Sequence, residues 1–138
     1  MYVMVEDQLT IYDYVEPFGG VLDPENRWVK LSAALDWQKM EEEYAENFGS
    51  GGAQALPLRM VFGSLVIREA LGLSDRQTVM LITENPYMQY FLGMSGFTHE
   101  APFSAHSMTH FRRRIPKEKV EETVEMLHEF SRKPKNKK

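Results

Sequence analysis

The chain has 138 residues, 43% of them hydrophobic, which suits one domain with a packed core and argues against wholesale disorder. The absence of cysteine excludes disulfides and thiolate metal sites, and no run of about 18 apolar residues is present that could cross a membrane. The net charge is −4, and the N-terminus lacks the basic start of a secretory signal, so we expect a cytoplasmic protein.

Residues 1–31 are expected to form an extended arm. They show no sustained hydrophobic period, and prolines and glycines between positions 17 and 24 interrupt them. Residues 2–5 and 10–15 could each be a short strand. The sequence leaves open whether the arm docks across the helices, pairs with another subunit or stays loose.

A helical domain is predicted from residue 32 to residue 131. Its first helix has Asp36 as an N-cap, with Leu35 and Met40 spaced for a hydrophobic staple. The apolar face of this helix is formed by Trp37, Met40, Tyr44 and Phe48. A glycine-rich link over residues 49–52 ends it.

The next helix is predicted to be the buried centre of the domain. It begins at Pro57, which suits a first helical turn, and runs to Leu71, with Gly72 as its left-handed terminus. Apolar side chains cover most of its circumference, namely Leu58, Val61, Phe62, Leu65, Val66 and Ile67.

Two shorter helices follow, and together they are similar to the start of a helix-turn-helix. A capping box at Ser74 and Gln77 opens the first helix, and Asn85-Pro86 caps the second. The loop after them, residues 94–103, is longer than the three or four residues usual in such a turn. We therefore expect a helix-turn-helix-like segment rather than a strict one.

The helix predicted over residues 105–115 has one apolar side and one polar side. At about 100° per residue, Met108, Phe111 and Ile115 fall together and would pack on the domain. The polar side and the flanks of the apolar stripe carry His106, Thr109, His110, Arg112, Arg113 and Arg114. A helix anchored in this way can enter a groove of DNA.

Pro116 separates this helix from the last one, whose apolar residues keep helical spacing up to Ser131. Residues 132–138 carry five bases and no acid, and we expect them to form a disordered basic tail. The elements together predict an all-α fold, a compact single domain of five or six helices with an extended N-terminal arm.

Charge is distributed unevenly along the chain. Residues 1–56 hold eleven acids and three bases, whereas residues 101–138 hold five acids and ten bases, a net charge of +5. Binding to a polyanion depends on local potential more than on total charge. The basic end is also the end that carries the exposed helix.

The cationic residues near this helix suit DNA binding, because a guanidinium can bridge two phosphate oxygens or the O6 and N7 edge of guanine. Attraction to phosphate is predicted from Arg112, Arg113, Arg114, Lys117 and Lys119. Contact with base edges is predicted from His106, Thr109 and His110. The alternative interpretation is that these side chains only solvate a surface.

Several segments carry a resemblance to a known family. They are LPLRM from residue 56, GLSDRQ from residue 72, ENPY from residue 84 with QYFLG from residue 89, and HFRRRI from residue 110, preceded by PFGG and DPENRWVK between residues 17 and 30. Their order and spacing resemble the N-terminal domain of bacterial insertion-sequence transposases of the DDE type, in the broad IS-four and IS-five grouping. The resemblance covers about residues 8–130.

The resemblance implies a domain that helps a transposase grip the ends of its mobile element, ahead of an RNase H-like domain with an Asp-Asp-Glu metal site. We expect that second domain to be missing from this chain, because the family normally continues beyond the point where the sequence ends. We therefore expect a truncated or excised domain without catalytic residues or a cofactor. Its expected partner is double-stranded DNA, with pairing into a homo-oligomer as an option and no membrane or small-molecule substrate.

Other chemistry has weaker support. His106 and His110 are four residues apart, as two ligands of one metal ion can be, but no third ligand or general-base Glu accompanies them. We therefore predict no metal site. Tyr87, Tyr90 and Phe91 could stack on bases, although their spacing is more typical of helix packing.

These patterns predict a non-catalytic DNA-binding domain of a transposase, which recognises mobile-element ends and associates with the nucleoid when bound. The alternative is a helical protein-interaction or dimerisation module without direct DNA contact, acting through its acidic N-terminal half and an aromatic face. An enzyme in its own right has the least support.

Overall fold

The structure, a computed structural model, describes residues 1–6, 8–15 and 20–131. Within these residues it contains no strand beyond an isolated bridge between Val15 and Gly96, and the all-α prediction is confirmed. The described helices are α1 (Arg27–Ala34), α2 (Trp37–Ala45), α3 (Leu58–Leu71), α4 (Asp75–Glu84), α5 (Pro86–Phe91), α6 (Ala105–Arg114) and α7 (Lys117–Ser131). The prediction of five or six helices falls below these seven, because α1 was not recognised.

Helix α1 lies in a stretch where the sequence shows no sustained period. Asn26 caps it by accepting hydrogen bonds from the backbone N–H groups of Trp28 and Val29, at 2.8 and 3.4 Å. The helix has only 8 residues, which leaves little room for an apolar pattern to repeat. A helix this short is not stable alone in water, and its contacts with α5 and α7 hold it in place.

Helix α3 is the centre of the domain, as the sequence predicted. Residues 61–67 are all buried, and the helix contacts α2, α4, α5, α6 and α7. It ends at Gly72, whose φ of 63° lies in the left-handed region that glycine adopts without strain. Gly63 allows the segment after α5 to approach, since a Cβ at that position would lie 2.6 Å from Leu92 Cδ2.

The buried amide of Gln89 in α5 positions the loop that leads into α6. Its Nε2 donates to the carbonyl oxygens of Ile82 and Thr98, at 2.9 Å each. Its Oε1 accepts from the backbone N–H of Thr98 at 3.0 Å. The loop before α6 is therefore tied to the core through one side chain.

The N-terminal arm docks across α2 and α3, which is one of the three arrangements that the sequence left open. The Tyr2 hydroxyl donates to Glu41 Oε2 at 2.7 Å and accepts from the backbone N–H of Leu58, also at 2.7 Å. Pro57 provides α3 with no side-chain cap, so Tyr2 caps that helix from a distance. The backbone N–H of Val5 donates to the same Glu41 oxygen at 3.0 Å.

The predicted disordered tail, residues 132–138, lies outside the described residues, as does most of the PFGG segment at residues 17–20. Among the described helices, none combines the length and the apolar character that crossing a bilayer requires.

Candidate nucleic-acid interface

Helix α6 lies on the surface with its apolar side inward. Ser104 caps it by accepting a hydrogen bond from the backbone N–H of Ser107 at 3.3 Å. Met108 and Phe111 are buried, and the Phe111 ring meets Phe103 edge to face with ring centroids 5.1 Å apart. The orientation that the sequence pattern predicted for this helix is the one observed.

The outer side of α6 carries four polar residues, which we call the α6 ridge: His106, Thr109, His110 and Arg113. All but the half-buried Thr109 are exposed. The two imidazole rings meet edge to face, with centroids 5.1 Å apart. The Arg113 side chain forms no ion pair or hydrogen bond with any residue that the structure describes, so its guanidinium is available to a ligand.

Arg112, by contrast, is held by a carboxylate. Its Nη1 and Nη2 donate to Oδ1 and Oδ2 of Asp75, at 2.7 and 3.1 Å. Asp75 Oδ1 also accepts from Arg68 Nε at 2.7 Å, so one carboxylate joins α3, α4 and α6. The hydrogen bond from Arg112, with the nearby charge of Arg68, lowers the pKa of Asp75, and the Asp75 carboxylate raises the pKa of Arg112.

The remaining predicted cations lie around the C-terminal end of α6. Arg114 Cζ lies 4.8 Å from the centroid of the Phe48 ring, a cation–π contact. Lys119 is exposed and, with Arg114, lines a groove of about 310 Å³ between α2 and α7. Lys117 is also exposed, and its Nζ lies 3.9 Å from Glu121 Oε2.

Acidic side chains border this basic region on both sides. The exposed acids of α2 and its C-cap are Glu42, Glu43 and Glu46, and those of α7 include Glu118, Glu121, Glu122 and Glu125. A polyanion would be attracted along α6 and at Lys117 and Lys119, and repelled by these acidic side chains of α2 and α7.

Helices α4 and α6 pack against each other, as the two helices of a helix-turn-helix do. They are separated in the sequence by α5 and by the loop over residues 92–104, so the helix-turn-helix-like interpretation stays a prediction. Sequence reasoning missed the roles of Arg68 and Asp75 at this junction. Asp75 has the ordinary appearance of an acid in a first helical turn, and nothing local connects it to Arg112, 37 positions away.

The other sequence candidates behave as structural residues. Tyr90 and Phe91 are buried, and the half-buried Tyr87 accepts a hydrogen bond from the backbone N–H of Asp23 at 2.8 Å, which agrees with helix packing rather than base stacking. In the parts of the chain that the structure describes, no three His, Asp or Glu side chains are grouped as a metal site. His106 and His110 are neighbours, and no third ligand joins them within the described ranges.

Comparisons with known proteins show the family to which the chain belongs. Residues 17–114 match the family described as "Transposase domain (DUF772)", a match that ends at the last residue of α6. The chain is also similar to a protein of Rhizobium meliloti described as an uncharacterized protein, ORF8 in the nfe locus. The two are 31% identical over 105 residues, which is 76% of this chain and 51% of that protein, so the chain spans about half the length of this relative. No solved structure matches the chain.

Proposed function

Since the chain belongs to the transposase-domain family DUF772, we propose that it is the DNA-binding, non-catalytic domain of a DDE-type transposase of the IS-four and IS-five grouping. In this proposal it binds double-stranded DNA at the ends of a mobile element. Strand cleavage and transfer belong to a separate catalytic domain, and this domain needs no cofactor. It acts in the cytoplasm and associates with the nucleoid when bound.

The exposed α6 ridge is the observation that carries the proposal. Its cation, Arg113, has no partner among the described residues, and hydrogen-bonding side chains lie on the same side of the helix. The buried side chains of Met108 and Phe111 hold α6 on the core, and the ion pair between Arg112 and Asp75 fixes the last turn of α6. A rigid helix presents such groups without a large loss of entropy on binding.

The structure supports different roles for the predicted contact residues. Arg113 is best placed to contact a phosphate or a guanine edge, and His106, Thr109 and His110 to contact bases. Arg114, Lys117 and Lys119 add attraction at the C-terminal end of the helix. Arg112 has both terminal nitrogens on Asp75, so we assign it a positioning role.

The test is a fluorescence-anisotropy titration of a labelled random-sequence duplex at several salt concentrations. We expect binding at low salt that weakens linearly on a logarithmic salt scale, and Arg113→Ala should reduce the magnitude of that slope by about one. Lys39→Ala, which removes an exposed cation of α2, is the matched control and should leave the slope unchanged. Absence of any complex with the wild-type chain at low salt would overturn the proposal.

A protein-interaction module remains the second candidate because the N-terminal arm exposes apolar side chains. Tyr12, Val15 and Val21 are 79%, 68% and 59% exposed. Exposed apolar side chains can contribute to surfaces that bind other proteins. A stable oligomer in light scattering, together with no DNA binding at low salt, would favour this function.

A further inference from the structure

A cleft of about 310 Å³ lies at the C-terminal end of α6, between α3 and the start of α7. The charged residues that line it in the described part of the chain are the cations Arg68, Arg112 and Lys117 and the acid Glu69. The cations come from three different helices, and only the folded chain brings them together.

The two terminal nitrogens of Arg68 are hydrogen-bond donors that the fold does not use over the described ranges. Its Nε donates to Asp75 at 2.7 Å, but its two terminal nitrogens donate to no group in the described part of the protein. The side chain is 33% exposed, so these donors are reachable from solvent although partly covered. Because an unpaired donor that is partly shielded from water is costly, the terminal nitrogens of Arg68 favour a ligand that accepts hydrogen bonds.

Asp75 does not cancel the positive charge at this place. Its single carboxylate is shared between Arg68 and Arg112, with 2.7 Å to a nitrogen of each, so the three groups together carry one positive charge. Lys117 adds a second, because its contact with Glu121 is long at 3.9 Å and its side chain is 81% exposed. Among the described residues that line the cleft, Glu69 is the acid that opposes them, and Glu121 opposes Lys117 from outside the cleft.

We propose that this cleft is a phosphate subsite, which receives one backbone phosphate of the duplex that α6 contacts. The inference rests on the proposed function and deepens it. The terminal nitrogens of Arg68 donate to the phosphate oxygens, and Lys117 supplies charge from the opposite wall. Arg112 stays on Asp75 and contributes its charge alone. One DNA strand therefore crosses the C-terminal end of α6 on the side of α3.

The test compares the salt dependence of duplex binding for Lys117→Gln and Arg68→Met with that of the wild-type chain. Each substitution should reduce the magnitude of the logarithmic salt slope by about one, whereas Lys39→Gln should not. Glu69→Gln should tighten binding at low salt, because it removes the acid from the cleft wall. If both cleft variants keep the wild-type slope while Arg113→Ala lowers it, DNA binding stands and the cleft assignment is wrong.

A second measurement does not depend on DNA. The NMR signal of the Arg68 Nε–Hε group should shift when inorganic phosphate is titrated into the wild-type chain, and the shift should be smaller in Lys117→Gln. Lys117 is exposed, so this variant carries little risk of unfolding. An Arg68 signal that does not respond to phosphate would overturn the subsite. A responding signal in a chain that binds no duplex would keep the anion site and overturn the proposed function instead.

Discussion

Arg112 and Asp75 are 37 positions apart in the sequence and form a two-pronged ion pair, with nitrogen-to-oxygen distances of 2.7 and 3.1 Å. The pair joins the last turn of α6 to the first turn of α4. Because α6 carries the ridge proposed to contact DNA, the orientation of that ridge depends on a contact that is not itself part of it.

Adjacent arginines of α6 should therefore respond differently to substitution. Arg112→Ala should lower the free energy of unfolding by roughly 1 kcal/mol, since Asp75 loses its bidentate partner at a partly exposed site. Arg113→Ala should change it by less than about 0.5 kcal/mol but weaken duplex binding. Urea unfolding and anisotropy titrations measure the two effects. Equal effects of both substitutions on stability would contradict the assigned roles.

The contacts of Asp75 with Arg112 and Arg68 also predict that stability depends on pH. The pKa of Asp75 is lowered in the folded chain, so its stabilising effect is present above the ordinary pKa of about 3.9 and is lost as the pH falls through the lower folded value. The difference in unfolding free energy between the wild-type chain and Asp75→Asn should thus be largest at neutral pH and shrink below about pH 4. Urea unfolding of both chains over this range is the measurement. A difference that does not change with pH would argue against the charged pair.

The hydroxyl of Tyr2 should contribute to stability although it lies in the arm. Tyr2→Phe removes a hydrogen bond to the buried Glu41 carboxylate and the cap of α3, at a cost of about 1–3 kcal/mol in unfolding free energy. Glu41 Oε1 already has no hydrogen-bond partner among the described residues, which makes a further loss costly. Tyr12→Phe is the control, because that ring is 79% exposed. Identical denaturation curves for the two variants would show that the arm does not support the fold.

Close packing at Gly63 gives a prediction about the core. Gly63→Ala places a Cβ 2.6 Å from Leu92 Cδ2 and 3.3 Å from the Phe91 ring, so Leu92 must move. We expect a loss of about 1–3 kcal/mol in unfolding free energy, as for other overpacked cores. Gly49→Ala should be close to neutral, since nothing lies within 4 Å of a Cβ at that position. Thermal melting compares the two variants with the wild-type chain. A Gly63→Ala chain as stable as the wild type would show that α3 and the segment at Phe91 and Leu92 separate readily.

Local patterns in the sequence predicted the helical elements well. The capping box at Ser74 and Gln77 is present, and Asn85 caps α5 by accepting from the backbone N–H of Met88 at 3.1 Å. The burial of α3 follows from apolar side chains around most of its circumference, and the inward side of α6 follows from helical periodicity. Each of these features depends on residues within about one or two helical turns, where spacing alone determines which groups meet.

Contacts between distant residues were beyond such patterns. Arg59 looks like an ordinary helical cation, yet it is 7% exposed and donates to the backbone oxygens of Tyr90 and Phe91 at 2.9 and 2.8 Å. Burial lowers its pKa. Nothing close to Arg59 in the sequence indicates this environment, which exists only after α3 and α5 pack together.

The candidate interface likewise combines features that local sequence patterns predict with contacts that only the fold creates. Sequence periodicity by itself determined that the chain is helical and which side of α6 faces solvent, because both follow from short-range geometry. Only the tertiary structure decided that Arg112 is held by Asp75, that Arg114 rests on Phe48 and that Arg113 is free of a described partner. Three consecutive arginines are chemically identical in the sequence. They differ in the fold because Arg112 meets Asp75 of α4, Arg114 meets Phe48 in the segment after α2, and Arg113 faces solvent.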